Sequence, residues 1–175
     1  MNNIFLTGQI QIGKSTVLQK VIELLKFKYN PKFGGFCTYR LPTSRDVFIR
    51  EFNSPNEPNE NQKIATWKHN CMESHPDNFD NFSKELRLSA TNADIIILDE
   101  LGFLEKDAND FKQSVFDCLQ NPKPCIGILR KASIPWQQSI YDDPNTLIIE
   151  VTLANRQGLP YEIINHLDKL IQNKK

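Results

Sequence analysis

Near the amino terminus, Gly8-Gln9-Ile10-Gln11-Ile12-Gly13-Lys14-Ser15 has the spacing G-x-x-x-x-G-K-S. Each residue type has a use in holding phosphate. The glycines let the backbone turn with no Cβ in the way. Successive N–H groups can then face inward as a concave anion site, reinforced by the start of a following helix. Lys14 supplies a point charge for the β- and γ-phosphates. The Ser15 hydroxyl is a hard oxygen ligand suited to Mg²⁺. The loop and Thr16 after it (Gly8, Gln9, Ile10, Gln11, Ile12, Gly13, Lys14, Ser15 and Thr16) are the expected nucleotide-binding residues.

A second constellation lies far along the chain. Ile95-Ile96-Ile97-Leu98 runs into Asp99-Glu100, a buried strand ending in two carboxylates. Asp99 is expected to share a Mg²⁺ ion with Ser15. Glu100 beside it can orient and deprotonate a water in line with a γ-phosphate, or it can be a solvated neighbour. Charge developing on the phosphoryl group also needs cations. Arg130 is the first candidate, at the end of a strand, followed by Lys131, Arg40, Arg45, Arg50 and Arg156. Lys14, Glu100 and Arg130 are thus the expected catalytic residues.

These groups need elements to position them. Asn3-Ile4-Phe5-Leu6 reads as a strand before the loop. Lys14 to Tyr29 reads as a helix after it, with Leu18, Ile22, Leu25 and Tyr29 at helical spacing. Lys32 to Leu41 and Val47 to Phe52 read as a hairpin, and Gly34-Gly35 predicts a bulge or a close approach. Residues 53–62 are rich in Asn, Pro and Glu and read as a polar surface loop. Ile64 to Trp67 reads as a short strand, with Trp67 a core or rim aromatic. Helices follow at Asp77 to Asn92 and Leu104 to Leu119, with strands at Asp94 to Leu98, Cys125 to Arg130 and Thr146 to Val151. Pro135 opens a short helix through Tyr141. A last helix follows Gly158-Leu159-Pro160, with Ile163, Leu167, Leu170 and Ile171 apolar. Strand–helix alternation predicts a single domain over residues 1–175, an α/β three-layer sandwich. Its sheet is expected to be mostly parallel with an early β-hairpin insertion, and the G-x-x-x-x-G-K-S loop after the first strand makes the P-loop NTPase type the expected variant. Ligands should sit at the carboxyl ends of the strands.

Composition narrows the partners. The 175 residues hold 21 basic and 21 acidic side chains, so no basic excess points to nucleic acid. No stretch has the length of a membrane span, and the amino terminus lacks a signal-peptide pattern, so a cytoplasmic protein is expected. Cys37, Cys71, Cys118 and Cys125 have no C-x-x-C spacing and are expected to be reduced. His69-x-Cys71-x-x-x-His75 has zinc-ligand types without a fourth ligand at a usual spacing, and is read as ordinary surface.

Several further stretches occur in a telling order: Ile4 to Gly8 with Gly13-Lys14-Ser15-Thr16, then Gly35-Phe36-Cys37-Thr38, then Asp99-Glu100-Leu101-Gly102 with Glu105. Val151-Thr152-x-x-Asn155-Arg156 and Leu159-Pro160 follow. With these, the whole chain resembles the small P-loop nucleoside-triphosphatases of the thermophile and cancer-related type. The resemblance implies Mg²⁺-dependent hydrolysis of nucleoside triphosphates to diphosphate and phosphate, with loose base preference. It also implies that Glu105 and Arg156 lie near the site and that Asn155 and Arg156 border the base. The chain departs from the family pattern at Tyr39-Arg40-Leu41-Pro42 and in Phe48 to Phe52, which lacks a glycine.

Two other readings remain. A nucleotide or small-metabolite kinase calls for a lid rich in arginine, and residues 132–145 contain none. A nucleotide-dependent binding switch with little turnover would use the altered hairpin and the Asn-rich loop as a partner surface.

Overall fold

Strands covered on both faces read as continuous apolar runs, and Ile4 to Leu6, Ile95 to Leu98 and Cys125 to Leu129 are all buried. The computed structural model describes residues 1–131 and 134–172. In chain order its elements are β1 (Asn3–Thr7), α1 (Lys14–Tyr29), β2 (Phe33–Arg40), β3 (Val47–Glu51), β4 (Lys63–Lys68), β5 (Cys71–Ser74) and α2 (Pro76–Asn92). They continue with β6 (Ile95–Leu101), α3 (Asn109–Leu119), β7 (Cys125–Leu129), α4 (Pro135–Tyr141), β8 (Thr146–Glu150) and α5 (Leu159–Gln172). All the strands join one sheet in the order β5-β4-β3-β2-β6-β7-β1-β8. From β2 to β8 the neighbours are parallel. From β2 to β5 they form an antiparallel meander.

Side chains alternate across each strand, so the sheet has two apolar faces. Ile4, Leu6, Ile97 and Ile128 meet Val17, Val21 and Leu25 of α1 and Ile163 and Leu167 of α5. Phe5, Phe36, Ile96 and Leu98 meet Phe79 and Leu86 of α2, Phe111 and Val115 of α3, and Ile140 of α4. The result is the expected three-layer sandwich. The Gly34-Gly35 pair reflects close approach: pairing from Phe33↔Ile95 to Cys37↔Asp99 is uninterrupted, and a Cβ on Gly34 would lie 2.3 Å from the Ser89 carbonyl of α2.

The inserted hairpin is larger than the sequence reading had it. β4 carries on through a turn at His69 and Asn70, both at positive φ, into β5. β5 is only four residues with one apolar side chain, too short to show a pattern. Within the 53–62 loop, Glu60–Gln62 forms a single 3₁₀ turn. The helix expected from Leu104 starts at Asn109 instead. Leu104 and Ala108 still face the core, which makes the apolar spacing look helical, but residues 104–108 are turns that bury the Glu105 carboxyl. Two expected features lie outside the described residues: the start of the 132–145 segment (Ala132 and Ser133) and the Ile171 side chain on the last helix.

Candidate active site

β1 ends at Thr7 and the chain turns at Gly8 (φ 132°), where a Cβ would lie 2.8 Å from the Val151 carbonyl beyond β8. Gly13, at φ 108°, opens α1. No acidic residue stands in the first turn of α1, so the positive end of the helix is left for an anion. Lys14 is buried and its Nζ folds over the loop, donating to the carbonyls of Gly8 (3.1 Å) and Gln9 (2.8 Å). Gln9, Ile10 and Gln11 are exposed, and Ile10 and Gln11 line the cleft onto which the loop opens. The loop opens onto a cleft of about 690 Å³ lined by Lys14, Ser15, Thr16, Arg40, Glu100 and Arg130.

β6 delivers the carboxylates. Its pairing with β7 runs Leu98↔Gly127 and then Leu101↔Leu129, three steps against two, so the extra residue falls at Asp99-Glu100. Such a bulge re-aims side chains at a strand end. Asp99 lies in register with Cys37, which pairs in turn with Arg50. Burial, and then the neighbouring Glu100, pushes the Asp99 carboxyl up to about 7, against the opposing pull of Arg50. Ser15 and Asp99 border a common cavity. Two hard oxygen donors, one a carboxylate destabilised as an anion, fit a small divalent cation. Burial raises the Cys37 thiol to about 12, which leaves it inert as a nucleophile.

β7, between β1 and β6, brings Arg130 to the same edge. Its Nε is 3.9 Å from a Glu100 oxygen and its guanidinium lies 5.4 Å from the Phe103 ring centroid. Of the other cations, Arg45 stacks over Trp67 (5.6 Å) at the rim of the meander, and Arg50 donates to the Glu51 and Phe52 carbonyls (2.9 and 2.7 Å). Lys131 is exposed. Arg156 leans over the loop, donating to the Ile12 carbonyl at 3.4 Å. Asn155 is engaged in its own turn: Oδ1 accepts from Thr152 N (2.8 Å) and Nδ2 donates to the Glu150 carbonyl (2.8 Å).

Behind these residues lies a buried clamp. Glu105 is 2 % exposed and its Oε1 accepts from Gly102 N at 2.7 Å, fixing the turn after Glu100. Burial raises its carboxyl to about 7, opposed chiefly by that N–H. Gln137, fully buried on α4, donates from Nε2 to the carbonyls of Gly102 and Arg130, both at 3.2 Å. One amide therefore ties the strand end bearing Glu100 to the one bearing Arg130. Sequence reasoning missed Gln137. Its signal was an amide three residues before Ile140, on the apolar stripe of a short helix.

The zinc-ligand types do not converge. Cys71 bonds back to the Lys68 carbonyl and the His75 ring pairs with Thr66 Oγ1 at 2.8 Å. Among the described residues no group of three such side chains could hold a metal, and no helix is long and apolar enough to cross a membrane.

The family model described as NTPase matches residues 3–164. The chain belongs to the NTPase family. Two relatives in it are named nucleoside-triphosphatase THEP1. That of Methanocaldococcus jannaschii is 30% identical, spanning 94% of this chain and 96% of its own. That of Saccharolobus solfataricus is 27% identical, spanning 94% and 91%. The crystal structure of THEP1 from the hyperthermophile Aquifex aeolicus has the same fold, with a TM-score of 0.72 at 20% identity over 92% of this chain and 96% of that one. The NTPase family assignment and the layered sheet thus agree with the resemblance carried by the separated motifs.

Proposed function

We propose that residues 1–175 form one nucleotide-binding unit that hydrolyses nucleoside triphosphates to diphosphate and phosphate, dependent on Mg²⁺ and with loose base preference. The observation that carries this reading is convergence: the Lys14 loop, Glu100 and Arg130, from three different strand ends, line one cleft. The loop N–H groups and Lys14 hold the β- and γ-phosphates. Ser15 and Asp99 would hold Mg²⁺, which when bound offsets charge on the β- and γ-oxygens. Glu100 takes a proton from the attacking water. Arg130, resting on Glu100 and Phe103, exchanges that weak pair for the γ-phosphate oxygens and so leaves the base free.

Loose base preference has a local rationale. Arg156, Pro160 and Tyr161 line a cavity beside Gly13 and Thr16, offering a guanidinium and apolar surface. Asn155, which could read a base edge, holds the turn that presents Arg156 instead. Balanced charge supports a nucleotide rather than a nucleic acid or membrane as partner, in a cytoplasmic setting.

Phosphate release from ATP, GTP, CTP and UTP, with and without Mg²⁺, tests the proposal. All four should turn over with kcat/KM within about tenfold of one another, since apolar surface discriminates weakly. Release should stop when Mg²⁺ is chelated. Undiminished release in chelator, or strict use of one base, would reject it.

A further inference from the structure

β1 ends in a polar residue on an apolar face. Phe5 belongs to the core under α2, α3 and α4, and alternation along the strand puts Thr7 on the same side. Thr7 follows the pair Leu6↔Ile128, so it stands level with the pair Leu101↔Leu129 on the two neighbouring strands. Leu129 and Leu101 are fully buried in that core, and Thr7 is buried beside them. A valine would fill the same shape with no hydroxyl to satisfy. Among the described residues Thr7 Oγ1 has no hydrogen-bond partner. Gln137 comes onto the same row from α4, its Nε2 bonding the carbonyls of Arg130 and Gly102, the residues that follow Leu129 and Leu101. The other end of that amide, Oε1, is also buried and without a partner. A hydroxyl donor and an amide acceptor, both shut off from solvent, thus stand over one row of strand ends. Ordered water commonly satisfies such groups inside proteins, making about 2–4 hydrogen bonds.

We propose that Thr7 is a positioning residue for hydrolysis, acting through one buried water that accepts from its hydroxyl and donates to Gln137 Oε1. The inference rests on the nucleotide reading of the cleft. Gln137 joins the strand end bearing Glu100 to the one bearing Arg130. The water adds the end of β1, because Thr7 leads directly into Gly8, whose carbonyl receives Lys14 Nζ at 3.1 Å. The loop that holds the phosphates is thereby set against the base and the arginine through a single amide. Neither Thr7 nor Gln137 touches the nucleotide, so the link sets the spacing between reacting groups and not the strength of binding. Small displacements between such groups cost rate steeply.

The test compares phosphate release from ATP with Mg²⁺ by the whole chain and its variants. Thr7→Val keeps the shape and removes the hydroxyl; it should lower kcat about fivefold with KM within about twofold of wild type. Thr7→Ser restores the hydroxyl and should keep kcat within about twofold of wild type. In a Gln137→Leu background the link is already cut, so adding Thr7→Val should slow release no further. An unchanged kcat in Thr7→Val, an equal loss in Thr7→Ser, or losses that multiply in the double variant overturns the proposal. A crystal structure of the wild-type chain reads the link without any activity. It should show a water about 3 Å from both Thr7 Oγ1 and Gln137 Oε1. No water there, or one bonded to only one of the two, overturns the link even if hydrolysis holds. The water present in a chain that releases no phosphate rejects the hydrolysis reading and, with it, the positioning role.

Discussion

The two halves of the sheet contribute to the cleft in different ways. In the parallel half, β1, β6 and β7 run side by side and end together, so the Lys14 loop, Asp99-Glu100 and Arg130 meet at one edge by topology. In the meander, β3 and β4 supply walls through Val47 and Ile64, and among the described meander residues Arg40 is the cation that lines the cleft. The difference teaches where each kind of information lies. The groups that line the cleft from the parallel half sit at fixed offsets from strand ends and leave short motifs, whereas the meander contributes mainly through packing and leaves none.

That contrast breaks most readily at its two arginines. Arg130→Ala should lower single-turnover hydrolysis by roughly 10³-fold, the lower range for an arginine aimed at the transferring group. Arg40→Ala should change it by about fivefold or less, as expected of a rim charge. The reverse order would move the transition-state cation to the meander.

The next effect is on stability. The Glu105 carboxyl titrates near 7 in the folded chain against 4.5 ordinarily, so between those values the folded state holds a proton that the unfolded state has released. Stability therefore falls as pH rises from about 4.5 to about 7 and stays lower above that, by up to the order of 3 kcal/mol. Asp99, raised in the same way, adds to this slope. Denaturant titrations of Glu105→Gln should show a shallower fall across that window. Glu73→Gln in the meander, where the carboxylate is exposed and paired with Lys68, should leave the slope unchanged. Equal slopes in wild type and Glu105→Gln would refute the buried-carboxyl assignment.

A smaller effect is expected at the clamp. Gln137→Leu removes the donor that two carbonyls share and should cost about 1–3 kcal/mol in unfolding free energy. It should also cut kcat about tenfold with KM nearly constant, because it loosens the join between the Glu100 and Arg130 strand ends. An unchanged kcat in a destabilised protein would reduce Gln137 to packing.

The layered fold was legible because buried strands and amphipathic helices carry periods that survive in sequence, as in Ile95 to Leu98 and in α1. The loop at Gly8 and the pair Asp99-Glu100 were legible because their chemistry demands contiguous residues. What escaped had no local period or a misleading one. β5 is four residues held by its partner strand. The turns at 104–108 keep helical apolar spacing while burying a carboxyl. Gln137 acts on Gly102 and Arg130, both distant in sequence, so its role exists only once the strands are assembled. The turn bonds of Asn155 to the Thr152 and Glu150 backbone likewise leave no periodic signal, as short polar side chains in turns often form them.

The central claim is that Glu100 serves as the base that activates the attacking group. Its direct test is phosphate release by Glu100→Gln at saturating nucleotide, with binding measured in parallel. The account predicts nucleotide affinity within about threefold of wild type and release slowed by roughly 10²–10⁴-fold. Release at the wild-type rate would contradict it.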